Sequence, residues 1–138
     1  YKEHFRVETL KVAIEQRGQE EFNSEAIVKL SIDNKIIHTA AEGNGPVNAM
    51  DNALRKALEK AYPIISKMHL SDYKVRVLEG NYATASKVRV LIESKDKTSK
   101  WSTIGVSANI IEASWQALLD SMNYLLLKQQ LGSQMKSV

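Results

Sequence analysis

Apolar and polar residues alternate along Ser24 to Asp33 (SEAIVKLSID). Ala26, Val28, Leu30 and Ile32 share one face, while Glu25, Lys29 and Ser31 are among those on the other. A period of two with one apolar face is the signature of a half-buried strand. Asp33-Asn34 is a short turn signal, so Lys35 to Glu42 (KIIHTAAE) reads as the return strand of a hairpin. Upstream, Phe5 to Gln16 (FRVETLKVAIEQ) is rich in β-branched residues and reads as a further strand. Its alternation slips near Thr9-Leu10, as it would at a β-bulge. The period then changes: Val47, Met50, Leu54, Ala57, Leu58 and Ala61 fall on one helical face. Pro63 should end this helix near Tyr62, since proline disfavours helix for the residue before it and cannot continue one itself.

The same order returns downstream. Ser71 to Leu78 (SDYKVRVL) sets Tyr73, Val75 and Val77 against Lys74 and Arg76. Ala85 to Glu93 (ASKVRVLIE) sets Val88, Val90 and Ile92 against Lys87 and Arg89. Lys97 to Lys100 is a polar turn, and Trp101 to Val106 (WSTIGV) is a third strand. Ser107-Ala108-Asn109 leads into a helix with Ile111, Trp115, Leu118, Met122 and Leu125 on one face. Gly132 to Val138 reads as a flexible tail.

The order βββα-βββα carries an echo at the level of residues. Ala49, Ala53 and Leu54 precede Ala113, Ala117 and Leu118 by 64 positions (113−49, 117−53, 118−54), and Val47 precedes Ile111 by the same offset. A fixed offset points to an internal duplication, though apolar helix positions also match by chance. Three strands with one apolar face and one helix to cover them make a two-layer sandwich. The expected fold class is therefore α+β, a two-layer α/β sandwich of two βββα units. It forms a single domain over residues 1–131, with unit one over about 5–64, unit two over about 71–131, and a tail over 132–138. The second helix is apolar on more than one side: Ile110, Ile111, Ala113, Trp115, Ala117, Leu118, Leu119, Leu125, Leu126 and Leu127. One sheet cannot cover so wide a stripe, so the excess should meet the other unit or a second subunit, which makes a homodimer the expected assembly.

Composition narrows the class. The 138 residues suffice for one compact domain, with 43% hydrophobic and 25% charged residues, as in soluble globular domains. No apolar run approaches the ~18 residues of a membrane span. The start, Tyr1-Lys2-Glu3-His4, is polar and unlike a signal peptide; the missing initiator Met suggests a fragment of a longer protein. The chain has no cysteine, hence no disulfide or thiolate metal site, which fits a cytoplasmic protein. A net charge of +3 and a pI near 9.1 make the chain mildly basic, but Lys and Arg are spread along it. Lys74, Arg76, Lys87 and Arg89 on one sheet face keep an RNA-binding module thinkable. The stacking aromatics such a module needs are missing from that face.

The two strand-to-helix junctions are the candidate binding sites. Gly43-Asn44-Gly45-Pro46 runs straight into the first helix. Glycine lets a ligand approach the main chain, and Pro46 suits the first helical turn. The next N–H groups lack intrahelical partners, and the helix dipole adds roughly half a positive charge. That combination suits a carboxylate or a phosphate. Gly105-Val106-Ser107-Ala108-Asn109 occupies the matching junction, where Ser107 or Asn109 could cap the helix. Both could equally be tight turns and nothing more. No Lys follows as in a phosphate loop, and no G-x-G-x-x-G occurs, which favours a carboxylate over a nucleotide. His4, His38 and His69 have no metal spacing, no G-x-S-x-G is present, and Glu112 and Asp120 fit solvated or capping roles. No catalytic constellation is expected.

The segments HTAAEGNGPVNAMDNALRKAL, DYKVRVLEG, KVRVLIES and WSTIGVSANIIEASWQALLDSMNYLLL together resemble the C-terminal regulatory domain of the 2-isopropylmalate synthase and citramalate synthase family, from about Phe5 to about Leu127. Asp72 to Leu78 and Ile110 to Leu118 look closest to the citramalate synthase branch. The resemblance implies two βββα units that help form a homodimer and bind an end-product amino acid, isoleucine or leucine according to branch. Binding would inhibit a catalytic barrel, on the same polypeptide, that condenses acetyl-CoA with a 2-oxo acid. This chain would be the sensor and no enzyme itself, with isoleucine as its ligand and with no cofactor, metal, nucleic acid or membrane partner. The ligand set it implies is Gly43, Asn44, Gly45, Pro46, Val47, Asn48 and Ala49 with Gly105, Val106, Ser107, Asn109, Ile110 and Ala113. Helix N-termini would take the carboxylate. Backbone carbonyls near Gly43 or Gly105, or Asn48, Asp51 or Asn109, would take the ammonium. Val47, Ala49, Val106, Ile110 and Ala113 would line the branched side chain, with the two alanines leaving room. A leucine sensor of the isopropylmalate branch is the rival within the family.

Overall fold

The computed structural model describes residues 4–78 and 86–136. Ala85, where a strand was expected to start, and the last two residues of the expected tail lie outside these. The chain divides into two compact units, Tyr1–Pro63 and Ile64–Val138. In the first, β1 (Arg6–Glu15), β2 (Asn23–Ile32) and β3 (Lys35–Gly43) precede α1 (Pro46–Leu58). In the second, β4 (His69–Leu78), β5 (Lys87–Lys95) and β6 (Lys100–Ser107) precede α2 (Ile110–Lys136). Each sheet is antiparallel in the order β1-β2-β3 or β4-β5-β6. This is the expected pair of βββα units.

The duplication extends to register. Ser24 faces Gly43 and Val88 faces Ser107, both partners being 64 residues apart from their counterparts (88−24, 107−43). Each first strand is interrupted by a bulge, between Val7 and Thr9 and between Leu70 and Asp72. The first bulge falls at Glu8, just before the slip expected near Thr9-Leu10. Its counterpart at Ser71 was not foreseen, because Ser71-Asp72 reads from sequence as the strand's polar start. The sheet-to-helix bonds repeat as well. Thr39 Oγ1 donates to the Ala53 carbonyl at 2.9 Å, and Thr103 Oγ1 to the Ala117 carbonyl at 2.7 Å.

The hairpin turns differ. Asp33 and Asn34 take left-handed φ values of 49° and 67°, which Asn and Asp tolerate in a two-residue hairpin turn. In unit two the turn covers Asp96 to Ser99, where the Asp96 N–H donates to the Ser99 carbonyl at 3.0 Å. The Asp96 carboxylate accepts the N–H groups of Thr98 at 2.9 Å and Ser99 at 2.8 Å. These amides, that of Thr98 foremost, hold its carboxyl down at about 2.

Each core lies between sheet and helix. Ala26, Val28 and Leu30 meet Met50, Leu54 and Leu58 in unit one; Val90 and Ile92 meet Leu118, Met122 and Leu125 in unit two, all at 0–2% exposure. The first helix closes at Leu58, but helical bonding continues loosely, since the Tyr62 N–H still reaches the Leu58 carbonyl at 2.8 Å. Pro63 then opens a short 3-10 helix, Pro63–Lys67, which no pattern suggested. The second helix runs through Gly132 to Lys136, into the expected tail. One glycine near a helix end costs about 1 kcal/mol, too little to stop a long helix. Among the described residues no helix is long and apolar enough to cross a membrane.

Candidate functional site

Each predicted group of residues comes together at a strand-to-helix junction, one group in each unit. In unit one, Gly43 ends β3, Gly45 is the N-cap and Pro46 is the first residue of α1. The Gly45 carbonyl accepts the Ala49 N–H at 3.0 Å. Asn48 reaches back, its Oδ1 accepting the Asn44 N–H at 3.2 Å. Asn52 Nδ2 donates to the Glu42 carbonyl at 3.0 Å. Val47 is half-buried and Ala49 fully buried.

In unit two, Gly105 lies buried within β6, Ser107 ends it and Asn109 precedes α2. Ser107 Oγ accepts the Asn109 N–H at 3.1 Å. Asn109 Oδ1 accepts the N–H groups of Ile111 at 2.8 Å and Glu112 at 3.3 Å, so Asn109 is the helix cap. The Val106 N–H donates to Gln116 Oε1 at 3.1 Å. Val106 and Ile110 are exposed, and Ala113 is fully buried.

The glycines divide into two kinds. A Cβ on Gly43 would lie 2.6 Å from Asn48 Oδ1 and 2.8 Å from Ala49 Cα. One on Gly105 would collide with the Ala113 carbonyl. These two glycines admit the helix backbone, and the small Ala49 and Ala113 sit against them. Gly45 has open space where a Cβ would be and an extended φ of −162°. Packing accounts for Gly43 and Gly105 but not for Gly45.

The two helix starts also differ electrostatically. At α2 the Asn109 amide oxygen takes two first-turn N–H groups, and Glu112 adds negative charge beside them. At α1 there is no side-chain cap and no acidic residue in the first turn. The first-turn amides of Val47 and Asn48 therefore keep the positive end of the dipole unanswered by a side chain. Beside this start lies a cleft lined by Glu15, Glu20, Glu21, Glu42 and Asn44, which favours a cation. One junction thus offers both signs that a zwitterion needs.

Asp51, a candidate ammonium acceptor, is committed elsewhere. Both its oxygens lie 3.0 Å from Arg55 Nε, and the pair is largely buried. Burial pushes the Asp51 carboxyl up, and Arg55 pulls it partly back. Asn52 and Gln116, 64 residues apart, were missed as residues that fasten each helix to its strand end. The offset already seen in the alanines would have paired them, but Asn and Gln carry no hydrophobic signal.

No group of three His, Cys, Asp or Glu residues that could hold a metal occurs among the described residues. His4 packs edge-on against Tyr62 at 6.0 Å. Arg76 lies directly opposite Arg89, and Lys74 opposite Leu91, on the sheet face away from α2. No aromatic ring joins them among the described residues, and Tyr73 belongs to the other face.

Comparison with known proteins follows the same division. Residues 1–126 match the family described as "LeuA allosteric (dimerisation) domain". The chain is 55% identical over 131 residues to an (R)-citramalate synthase of Geobacter sulfurreducens, covering 94% of the chain and 25% of that protein. It is 49% identical over 130 residues to one of Aquifex aeolicus, with the same coverage of each. To a 2-isopropylmalate synthase of Shewanella sediminis it is 36% identical over 104 residues, covering 75% of the chain and 18% of that protein. The chain thus spans about a quarter of the length of the citramalate synthases it matches.

Proposed function

The chain belongs to the LeuA allosteric (dimerisation) domain family, and from that premise we propose that it is the isoleucine-sensing regulatory domain of a citramalate synthase. It binds L-isoleucine for feedback inhibition of a catalytic barrel that condenses acetyl-CoA with pyruvate in the cytoplasm. The fragment itself turns nothing over. The observation that carries the branch is the gap between 49–55% identity to citramalate synthases over 94% of the chain and 36% to an isopropylmalate synthase over 75%.

The junction of unit one suits the ligand. The uncapped start of α1 takes the carboxylate through the Val47 and Asn48 amides. The acidic cleft at Asn44 and Glu42 draws the ammonium. Gly45 keeps the approach clear, and half-buried Val47 offers apolar contact to the branched side chain. Unit two contributes Val106, Ser107 and Ile110 as a surface of the same type, but its helix start is already filled by Asn109. One amino acid per chain is therefore expected, not two.

Calorimetric titration with L-isoleucine, L-leucine and L-valine tests this. Isoleucine should bind best, with a stoichiometry of one per chain. Its preference over leucine rests on methyl placement, worth about 1–3 kcal/mol, or roughly 10–200-fold in affinity. Leucine preference would move the chain to the isopropylmalate branch. No heat with any of the three would overturn the amino-acid reading.

A further inference from the structure

We infer that a second copy of this chain packs against the helix-side faces of β1 and β4, on Leu10, Val12 and Ile14 in one unit and on Tyr73, Val75 and Val77 in the other. The reason lies in an uneven cover. Val12 faces Ala26 across the sheet, and Leu10 faces Val28; Tyr73 faces Ile92, and Val75 faces Val90. Directly opposed residues of an antiparallel pair point to the same side. Ala26, Val28, Val90 and Ile92 are 0% exposed beneath their helices. On the same side, one strand over, Ile14 is 56% exposed, Val75 41% and Val77 61%.

Geometry makes this gap. A helix is about 10 Å wide and strands lie about 4.8 Å apart, so one helix covers two strands. In unit one α1 lies chiefly over β2 and β3, and in unit two α2 lies over β5 and β6. The Tyr73 hydroxyl reaches α2 at Ser114, 3.0 Å away, and marks the limit of the cover. The open residues correspond across the duplication at an offset of 63 (73−10, 75−12, 77−14). Both units therefore leave the same apolar row open, which follows from the architecture rather than from one stray side chain.

The occupant is a second copy because the family that matches residues 1–126 is a dimerisation domain. The chemistry of the strands agrees. Their helix-side rows carry no charge, as the centre of a stable interface requires. Their outer sides carry Lys11, Lys74 and Arg76 and suit solvent. Two rows per chain, related by internal repeat, also suit a two-fold pair in which each copy gives and receives the same contact. The inference does not depend on the ligand, and its test is run without one.

Sedimentation equilibrium of the whole chain should show a dimer. Ile14→Glu and Val77→Glu should each weaken it at least tenfold. Ile104→Glu, at a residue 47% exposed on the outer face of unit two, should leave it unchanged. Should a charge on a row unfold the chain, single cysteines provide the readout, since the chain has none of its own. A Val77→Cys variant should be shielded from maleimide at dimer concentrations and should react on dilution, while an Ile104→Cys variant should react alike at both. A chain monomeric at every concentration, a dimer indifferent to both row variants, or shielding at position 104 in place of 77 would overturn the inference.

Discussion

At the scale of the residue, two glycines and one aspartate carry most of the local information. Gly43 and Gly105 look alike in sequence to Gly45, as loop glycines at a possible ligand. The structure separates them by what a Cβ would touch. Gly105→Ala, and to a lesser degree Gly43→Ala, should overpack the sheet against helix backbone and cost about 1–3 kcal/mol in urea unfolding. Gly43→Ala costs less because Asn48 Oδ1, one of the atoms in its way, belongs to a side chain that can turn aside. A neutral result for Gly105→Ala would mean the strand and helix sit further apart than described. Asp96 is a second case. Its carboxyl is depressed to about 2 by the turn amides, so its contribution is complete above its unfolded value near 4 and is lost as pH falls through about 2. Asp96→Asn should therefore lower the urea midpoint at neutral pH. The difference from the parent chain should shrink between about pH 4 and pH 2, and a gap independent of pH would exclude the charge as its cause.

At the scale of the element, the two helices begin differently although they end the same kind of unit. An Asn cap serves α2, and a bare Gly cap starts α1. A Gly cap forgoes only a few tenths of a kcal/mol relative to Asn or Asp, so the uncapped start is cheap to keep and easy to change. Gly45→Asp would place a carboxylate where the ligand's carboxylate is proposed to sit. It should leave the fold at least as stable, because an acidic cap favours the helix dipole, and it should cut isoleucine affinity at least tenfold. Stability and binding then move in different directions, which a merely structural glycine would not produce. Unchanged affinity in a well-folded Gly45→Asp protein would remove the α1 start from the ligand site.

At the scale of the whole molecule, duplication is the organising fact. The 64-residue offset was visible in Ala49, Ala53 and Leu54 against Ala113, Ala117 and Leu118, because helix core positions are apolar and small in both units. It extends in the structure to strand register, to the threonines that tie sheet to helix, and to Asn52 and Gln116. The units have nonetheless diverged where function is proposed. One helix start is open and flanked by an acidic cleft, and the other is closed by its own side chain. The expected stoichiometry of one isoleucine per chain belongs to this scale, since an undiverged duplication would bind two.

Periodicity alone determined the strand and helix order, the two units and the hairpin at Asp33-Asn34, because burial on one side of an element writes a period of two or near 3.6 into the chain. The family resemblance was legible in the junction motifs. Element ends were read less well, with α1 closing earlier and α2 running on through Gly132, since a few tenths of a kcal/mol decide where a helix frays. Only the tertiary structure decided which glycines face a helix backbone and which first turn is already capped. It also decided that the apolar rows of β1 and β4 stay uncovered. Those facts depend on which backbones approach each other across the fold, and an alternating strand looks the same in sequence whether or not a helix lies over it.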